Sequence, residues 1–233
     1  MTNILLCDTR ETDKLLPAAF VQHDNNPSLL QSSYLRNTKL CNESVIVSTP
    51  CHYFTAYDLV EELKQGEPYF LLEPLNQNPA AAIVMASLSL DPETIVLVSH
   101  AELQIADEEL YQKSVQEAKE LAESEMIIRL DCKPDSIEIN YSPMEDNSEY
   151  FDNTQRRTQK SDIFCFKVDL FLATLQNALP EFYMPLRKAY DNAKHEEMTR
   201  IIMEDIQMVP QMSMDELLFS IAEKNRGKVL QRK

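Results

Sequence analysis

The segment Thr94–Ser99 (TIVLVS) is apolar on both faces, and Asn78–Leu90 just before it is apolar nearly all the way round. A strand without a polar face needs cover on both sides, which is the habit of sheets sandwiched between helices. A helix without a polar stripe is itself buried. The pair therefore restricts the chain to a layered arrangement of sheet and helices. The remainder keeps the same alternation. Strands are predicted at Asn3–Cys7, Val45–Ser48, Tyr69–Leu72, Met126–Asp131, Ser136–Tyr141 and Ile163–Lys167. Helices are predicted at Ser28–Arg36, Tyr57–Lys64 (stopped by Gly66), Asp107–Glu123 and Val168–Ala178, with Asn78 as the N-cap of the apolar helix. Met184–Asp205 is predicted to be largely helical, followed by a Met-rich turn and a last helix at Asp215–Glu223. This order predicts an α/β fold with a mostly parallel sheet flanked by helices. With 233 residues the expectation is one domain, 1–233. Met144–Lys160, polar and acidic and then basic, is predicted to be an exposed loop.

Glycine narrows the chemistry. The chain has only 2, Gly66 and Gly227, where average usage is about 7%. No GxGxxG and no Walker-type loop exists, so no glycine nest can bring bare backbone N–H groups against a phosphate. The 22 Lys and Arg against 38 Asp and Glu give a net charge of −16. Such a field repels nucleic acid and anionic membranes, so neither is expected as a partner. Cys7, Cys41, Cys51, Cys132 and Cys165 form no CxxC pair and read as reduced thiols of a cytoplasmic protein. A zinc site from Cys41, Cys51 and His52 lacks ligands. His23, His52, His100 and His195 have neither metal spacing nor a nucleophile partner and read as structural. No stretch approaches the ~20 apolar residues of a membrane span, and the first residues are too briefly apolar for a signal peptide.

Several segments, taken in order, carry a family resemblance. Leu71–Leu88, LLEPLNQNPAAAIVMASL, resembles the sugar-nucleotide pyrophosphorylase motif LLEPxxRNTAPAIAxAAL, most closely that of mannose-1-phosphate guanylyltransferases. SHAELQIADEELYQKSVQEA is similar to LPSDHxIxDxxxFxxAVxxA. LLPAAFVQHDNNPSLLQSSYLR resembles KQFLPLxGxxSLLQxTLxR, SDIFCFKVDLFLATL resembles NSGMFLFxxxxxLxEL, and Glu216–Lys224 resembles SIDYAVMEK. The resemblance implies a Rossmann-like nucleotidyltransferase domain. In such enzymes a sugar 1-phosphate oxygen attacks the α-phosphate of a nucleoside triphosphate and pyrophosphate leaves. Catalysis rests on positioning and on neutralising charge with Mg²⁺ and basic side chains.

The parts that the resemblance implies survive unevenly. The family's glycine-rich phosphate loop follows the first strand; here Asp8–Lys14, DTRETDK, is shorter and contains no glycine. Arg10 and Lys14 are the weak catalytic candidates left in it, and a β-carbon at each position obstructs close backbone approach. The metal-binding Asp of PSDH falls on Glu102, a carboxylate suited to a hard cation, and the neighbouring His falls on Leu103. The second metal Asp belongs to a motif beyond the last residue, so the chain is expected to lack the family's C-terminal region. Glu73, Asn78, Glu223 and Lys224 match substrate-binding positions. Asn78 also reads as a helix cap, and Glu223–Lys224 also reads as a surface pair. The sugar-facing glycines of PETGYGYI are Ile137 and Ile139, and the Asn-Ser-Gly motif is Lys160–Ser161–Asp162.

The favoured reading is a degenerate mannose-1-phosphate guanylyltransferase-like protein, a catalytically inactive pseudoenzyme with a binding or regulatory role. No cofactor is assigned to it. Its partners would be a second copy or an active paralogue, with residual nucleotide or sugar phosphate as ligand. The first alternative is an active transferase making a GDP-mannose-like nucleotide sugar, with Mg²⁺ as cofactor and Glu102 as its carboxylate. The second is a protein-interaction module built on the acidic loop and the Met-rich tail, where Met198, Met203, Met208, Met212 and Met214 cluster.

Overall fold

A computed structural model describes residues 1–7, 16–22, 26–74, 78–133, 136–143 and 162–231. Arg10, Lys14, Lys160, Ser161 and the loop expected at 144–160 lie outside these residues. The described chain forms β1 (Thr2–Leu6), a 3-10 turn (Ala18–Phe20), α1 (Leu29–Thr38), β2 (Glu43–Ser48), α2 (Tyr53–Glu61), β3 (Tyr69–Leu72), α3 (Pro79–Leu88), β4 (Ile95–His100) and α4 (Glu108–Glu123). It continues with β5 (Met126–Lys133), β6 (Ser136–Pro143), β7 (Asp162–Lys167), α5 (Val168–Ala178), α6 (Pro180–Asp191), β8 (Lys194–His195), β9 (Met198–Arg200), α7 (Met203–Ile206) and α8 (Met214–Gln231).

The strands make one 9-stranded sheet in the order β6-β5-β7-β4-β1-β2-β3-β9-β8. The centre, from β4 to β9, is parallel, and the remaining pairings are antiparallel. In direction β1, β2, β3, β4, β5 and β9 run one way and β6, β7 and β8 the other, so the sheet is mostly parallel, as expected. Side chains alternate between its faces with the two-residue period of a strand. Ile4, Leu6, Val45, Val47, Val96, Val98, Phe164 and Phe166 face a core shared with α3, α5, α6 and α8. Leu5, Cys7, Ile46 and Phe70 face α1 and α2 on the other side, and Leu97, Ile128, Leu130, Ile163 and Cys165 face α4 there. The apolar α3 is buried along nearly all its length, and the fully apolar β4 lies at the heart of the sheet.

Helix starts follow the local chemistry. Ser28 forms a capping box with Gln31: the Gln31 N–H donates to Ser28 Oγ at 3.2 Å, and the Ser28 N–H to Gln31 Oε1 at 2.9 Å. Asp107 caps α4 by accepting from the Leu110 N–H at 2.9 Å. Gly66 has φ +71°, in the left-handed region, where a β-carbon is disfavoured. That conformation lets the chain turn into β3, while Gln65 gives its carbonyl to the Tyr34 hydroxyl at 2.7 Å.

Three expectations need correction. The helix expected from Tyr57 begins at Tyr53 and ends at Glu61, well before Gly66. The last helix continues past Glu223 to Gln231 and contains Gly227. The region Met184–Asp205 is not one helix. α6 starts at Pro180, whose missing N–H costs nothing at the first helical position, and stops at Asp191. The chain then makes the β8–β9 hairpin, and β9 pairs in parallel with β3 through Phe70↔Met198, Leu71↔Thr199 and Leu72↔Arg200. β3 would otherwise end the parallel run as an open edge, and the β-branched Thr199 is suited to the strand that closes it.

Under the sheet, Asn37 of α1 ties β1, β4 and α4 together. Its amide donates to Asn3 Oδ1 at 2.9 Å and Ser99 Oγ at 3.0 Å, and its oxygen accepts from the Tyr111 hydroxyl at 2.7 Å. All four residues are fully buried. Asn37→Ala leaves these groups without their partner, so it is expected to cost on the order of 3 kcal/mol; Tyr111→Phe should cost about 1 kcal/mol. Urea unfolding of both variants checks the ranking.

Burial raises the thiols of Cys7, Cys41 and Cys165 above the ordinary 9.0, that of Cys41 to about 12. Between those values the unfolded chain releases protons that the folded chain retains. Stability is therefore expected to fall as pH rises above about 9. Cys41→Ala should flatten that alkaline slope in urea titrations run at several pH values.

Candidate functional site

Strand order reverses at β1. The chain moves outward from β1 through β2 to β3, then crosses back to place β4 on the other side of β1. In open α/β sheets, ligands bind outside the carboxyl ends of the strands at such a reversal. The register Leu6↔His100 brings the two strand ends level. The sheet extends one step further there: the Ala101 N–H donates to the Leu6 carbonyl at 2.8 Å, the Cys7 N–H to Val47 at 2.9 Å and the Glu73 N–H to Ser48 at 2.9 Å. The crevice edge thus runs from Glu102 through Cys7 and Ser48 to Glu73.

Glu102 is half-buried and close enough to Cys7 for its charge to hold the thiol up, secondary to burial of the thiol. Glu73 is 4% exposed and Ser48 2%. Ser48 Oγ has no hydrogen-bond partner. His52, where α2 begins, exchanges a hydrogen bond with Thr49 Oγ1 at 2.9 Å and lies 5.6 Å from the Phe20 ring. Burial lowers its pKa, so it is neutral at pH 7. The described ends of β4, β1, β2 and β3 carry the carboxylates of Glu102 and Glu73 and no Lys or Arg. Arg200, exposed at the end of β9, stands one strand beyond β3.

The structure separates the site residues expected from the sequence. Glu102 and Glu73 share the crevice edge but follow strands three places apart. At about 4.8 Å per place their backbones are roughly 14 Å apart, too far to share one ion. Among the described residues no three His, Cys, Asp or Glu side chains converge on a metal position. Mg²⁺ accepts one or two carboxylates with substrate phosphates and water. Glu102 fits that ion only as a single anchor to a phosphate-bridged cation. Cys41 is buried and Cys51 exposed.

Asn78 is bound up in the fold. Its Oδ1 accepts from the Ala81 N–H at 3.2 Å and the Met212 N–H at 3.3 Å, and its Nδ2 donates to the Pro210 carbonyl at 2.7 Å. It caps α3 and clamps the segment leading to α8. Glu223 and Lys224 are exposed on α8, where Lys224 Nζ meets Glu181 Oε1 at 3.3 Å. Leu103, at the family's His position, is buried, and its carbonyl accepts from Arg36 Nη2 at 3.1 Å. Ile137 and Ile139 are partly buried and pack against the core beneath α4.

Sequence reasoning missed the edge positions of Cys7, Ser48, His52 and Arg200. None belongs to a motif; the signal available for Cys7, Ser48 and His52 was that each stands at the carboxyl end of a predicted strand or just beyond it, whereas Arg200 lies in a stretch expected to be helical and carried no such signal. A protonated, buried Cys7 should resist alkylation. At pH 8, iodoacetamide is expected to label exposed Cys51 in native protein and Cys7 only after denaturation, as read by peptide mass spectrometry.

No family model matches the chain. The mannose-1-phosphate guanylyltransferase of Salmonella montevideo is 29% identical over 129 residues, 54% of this chain and 27% of that protein. The enzyme of the same name from Salmonella muenchen is 22% identical over 242 residues, 92% of this chain and 50% of that protein. The chain thus spans about half the length of such relatives, or less. Among solved structures, mannose-6-phosphate isomerase from Helicobacter pylori superposes with a TM-score of 0.71 at 22% identity, covering 92% of this chain and 90% of its own. A second, a mannose-1-phosphate geranyltransferase from Thermus thermophilus, gives 0.60 at 16% identity over 92% of this chain and 69% of its own. In sequence the chain is therefore sugar-nucleotide pyrophosphorylase-like, related at low identity to the mannose-1-phosphate guanylyltransferases, and it shares its fold with these two solved structures.

Proposed function

We propose that this chain is a nucleotidyltransferase-like domain that does not carry out the transfer reaction and serves as a binding or regulatory component. The observation that carries this reading is the charge of the crevice edge. From β4 to β3 its described residues present Glu102 and Glu73 and no cation. A nucleoside triphosphate brings several negative charges of its own. Transfer also needs donors and cations aimed at the reacting phosphates. The glycine-free stretch Asp8–Lys14 supports the same reading, since its β-carbons obstruct backbone approach. Residues kept from the family motifs support it too: Asn78 binds the chain itself and Lys224 pairs with Glu181.

The ligand class that follows is a residual nucleotide sugar or sugar phosphate. The partner class is a second copy of the chain or an active nucleotidyltransferase paralogue. The opposing reading, an active transferase, takes Glu102 as the single carboxylate for a phosphate-bridged Mg²⁺.

A pyrophosphate-release assay with GTP, mannose 1-phosphate and Mg²⁺ separates the two. The expected result is no release above the protein-free blank. Turnover that Glu102→Ala abolishes would overturn the proposal. In a parallel thermal-shift series, GDP-mannose is expected to raise the melting temperature through binding alone.

A further inference from the structure

At the opposite end of the sheet, where β1, β2 and β3 begin, lies a cavity of about 620 Å³. Its wall includes Glu43, Glu67, Tyr69, Tyr190 and His195. Five residues of β1 at about 3.3 Å each put it roughly 16 Å from the crevice described above, so it is a separate site. Its volume is within the range of small-molecule pockets.

The polar heads of its aromatic residues are already engaged, and all of them turn to one buried hydroxyl. The His195 Nε2–H donates to the Tyr190 carbonyl at 2.9 Å, and its Nδ1 shares a hydrogen bond with Thr199 Oγ1 at 3.0 Å. The same oxygen shares one with the Tyr69 hydroxyl at 2.8 Å. Tyr190 is hydrogen-bonded to Thr199 as well, and its ring lies 4.7 Å from that of His195. With these heads satisfied, Tyr69 and Tyr190 offer the cavity ring surface and not hydrogen-bonding groups.

Two carboxylates, Glu43 and Glu67, stand in the same wall. Glu43 has only a 3.4 Å contact from the Thr2 hydroxyl, and no described Lys or Arg pairs with Glu43 or Glu67. Among the described residues no Lys or Arg lines the cavity. Aromatic faces beside unpaired carboxylates attract a cation that carries apolar surface, and they repel phosphates and carboxylates. The overall charge of −16 favours the same sign of ligand.

We infer that this cavity binds a small organic cation, an ammonium group on a short apolar stem, with Glu43 and Glu67 neutralising the charge and Tyr69 and Tyr190 packing on the stem.

The test uses the whole chain, with putrescine and choline as probes and 1,4-butanediol as the neutral control, by isothermal titration calorimetry. Salt near 0.15 M suppresses long-range attraction to the acidic surface. One saturable site is expected for at least one cation and none for the diol. Glu43→Gln/Glu67→Gln should weaken binding at least tenfold. Glu109→Gln/Glu117→Gln, the same charge change on α4, should leave it within twofold. Far-ultraviolet circular dichroism verifies that both variants fold. Absence of saturable binding by either cation at millimolar concentration overturns the inference. So does equal weakening by the two double variants, which would mean general attraction to an acidic protein.

Discussion

The seam between β1 and β4 is where the sheet reverses its order, and a buried polar knot holds it. Asn37 reaches Asn3 on one strand, Ser99 on the other and Tyr111 on the covering helix. Parallel strands joined by crossovers have no tight turn to set their register, so side-chain chemistry between the layers contributes to it. Arg36 adds a second tie one residue earlier: its Nη2 donates to Ser33 Oγ and the Leu103 carbonyl, and its guanidinium carbon lies 5.2 Å from the centre of the Tyr111 ring. Together they locate the loop after β4, and with it Glu102, against the end of β1. A low-dielectric surround makes such a network costly to break in part.

The seam gives the sheet two chemically different ends. At the carboxyl ends stand Glu102, Cys7, Ser48 and Glu73, the edge where open α/β sheets bind ligands, with two carboxylates among its described residues. At the amino ends a cavity is built of tyrosine rings and carboxylates. Both ends are acidic, as a chain of net charge −16 makes natural. They differ in what surrounds the carboxylates: strand ends and loops at one, aromatic faces whose hydroxyls are committed to Thr199 at the other.

Much of the fold was legible because burial writes a period into the sequence. β4 and α3 are apolar all round and lie where two-sided cover is complete. Ser28, Asn78 and Asp107 announced three helix starts, since a cap is a local interaction. The β8–β9 hairpin was not legible. Its residues read as a continuation of α6, and they become strand because β3 offers an edge that the local sequence cannot contain. For the site, Glu102 and Glu73 were found through motif position and do lie on the crevice edge. Asn78 was found the same way, yet each of its contacts is to its own chain. Arg10 and Lys14 fall outside the described residues.

By itself, the sequence determined the layered α/β arrangement, the approximate places of most strands and helices, the acidic character of the chain and the absence of a glycine loop, since each depends on local periodicity or simple counting. Only the tertiary structure decided which polar groups are partnered within the chain and which groups meet around one cavity. Asn78, Lys224 and Leu103 lie in sequence motifs that imply ligand contacts, and their bonds go to residues distant in the chain: Asn78 to Pro210 and Met212, Leu103 to Arg36, and Lys224 to Glu181 on the surface. Glu43, Glu67, Tyr69 and Tyr190 belong to no motif and meet because β2 and β3 begin side by side and the end of α6 packs beside them. Partnership is a matter of distance in space, and no period or composition encodes it.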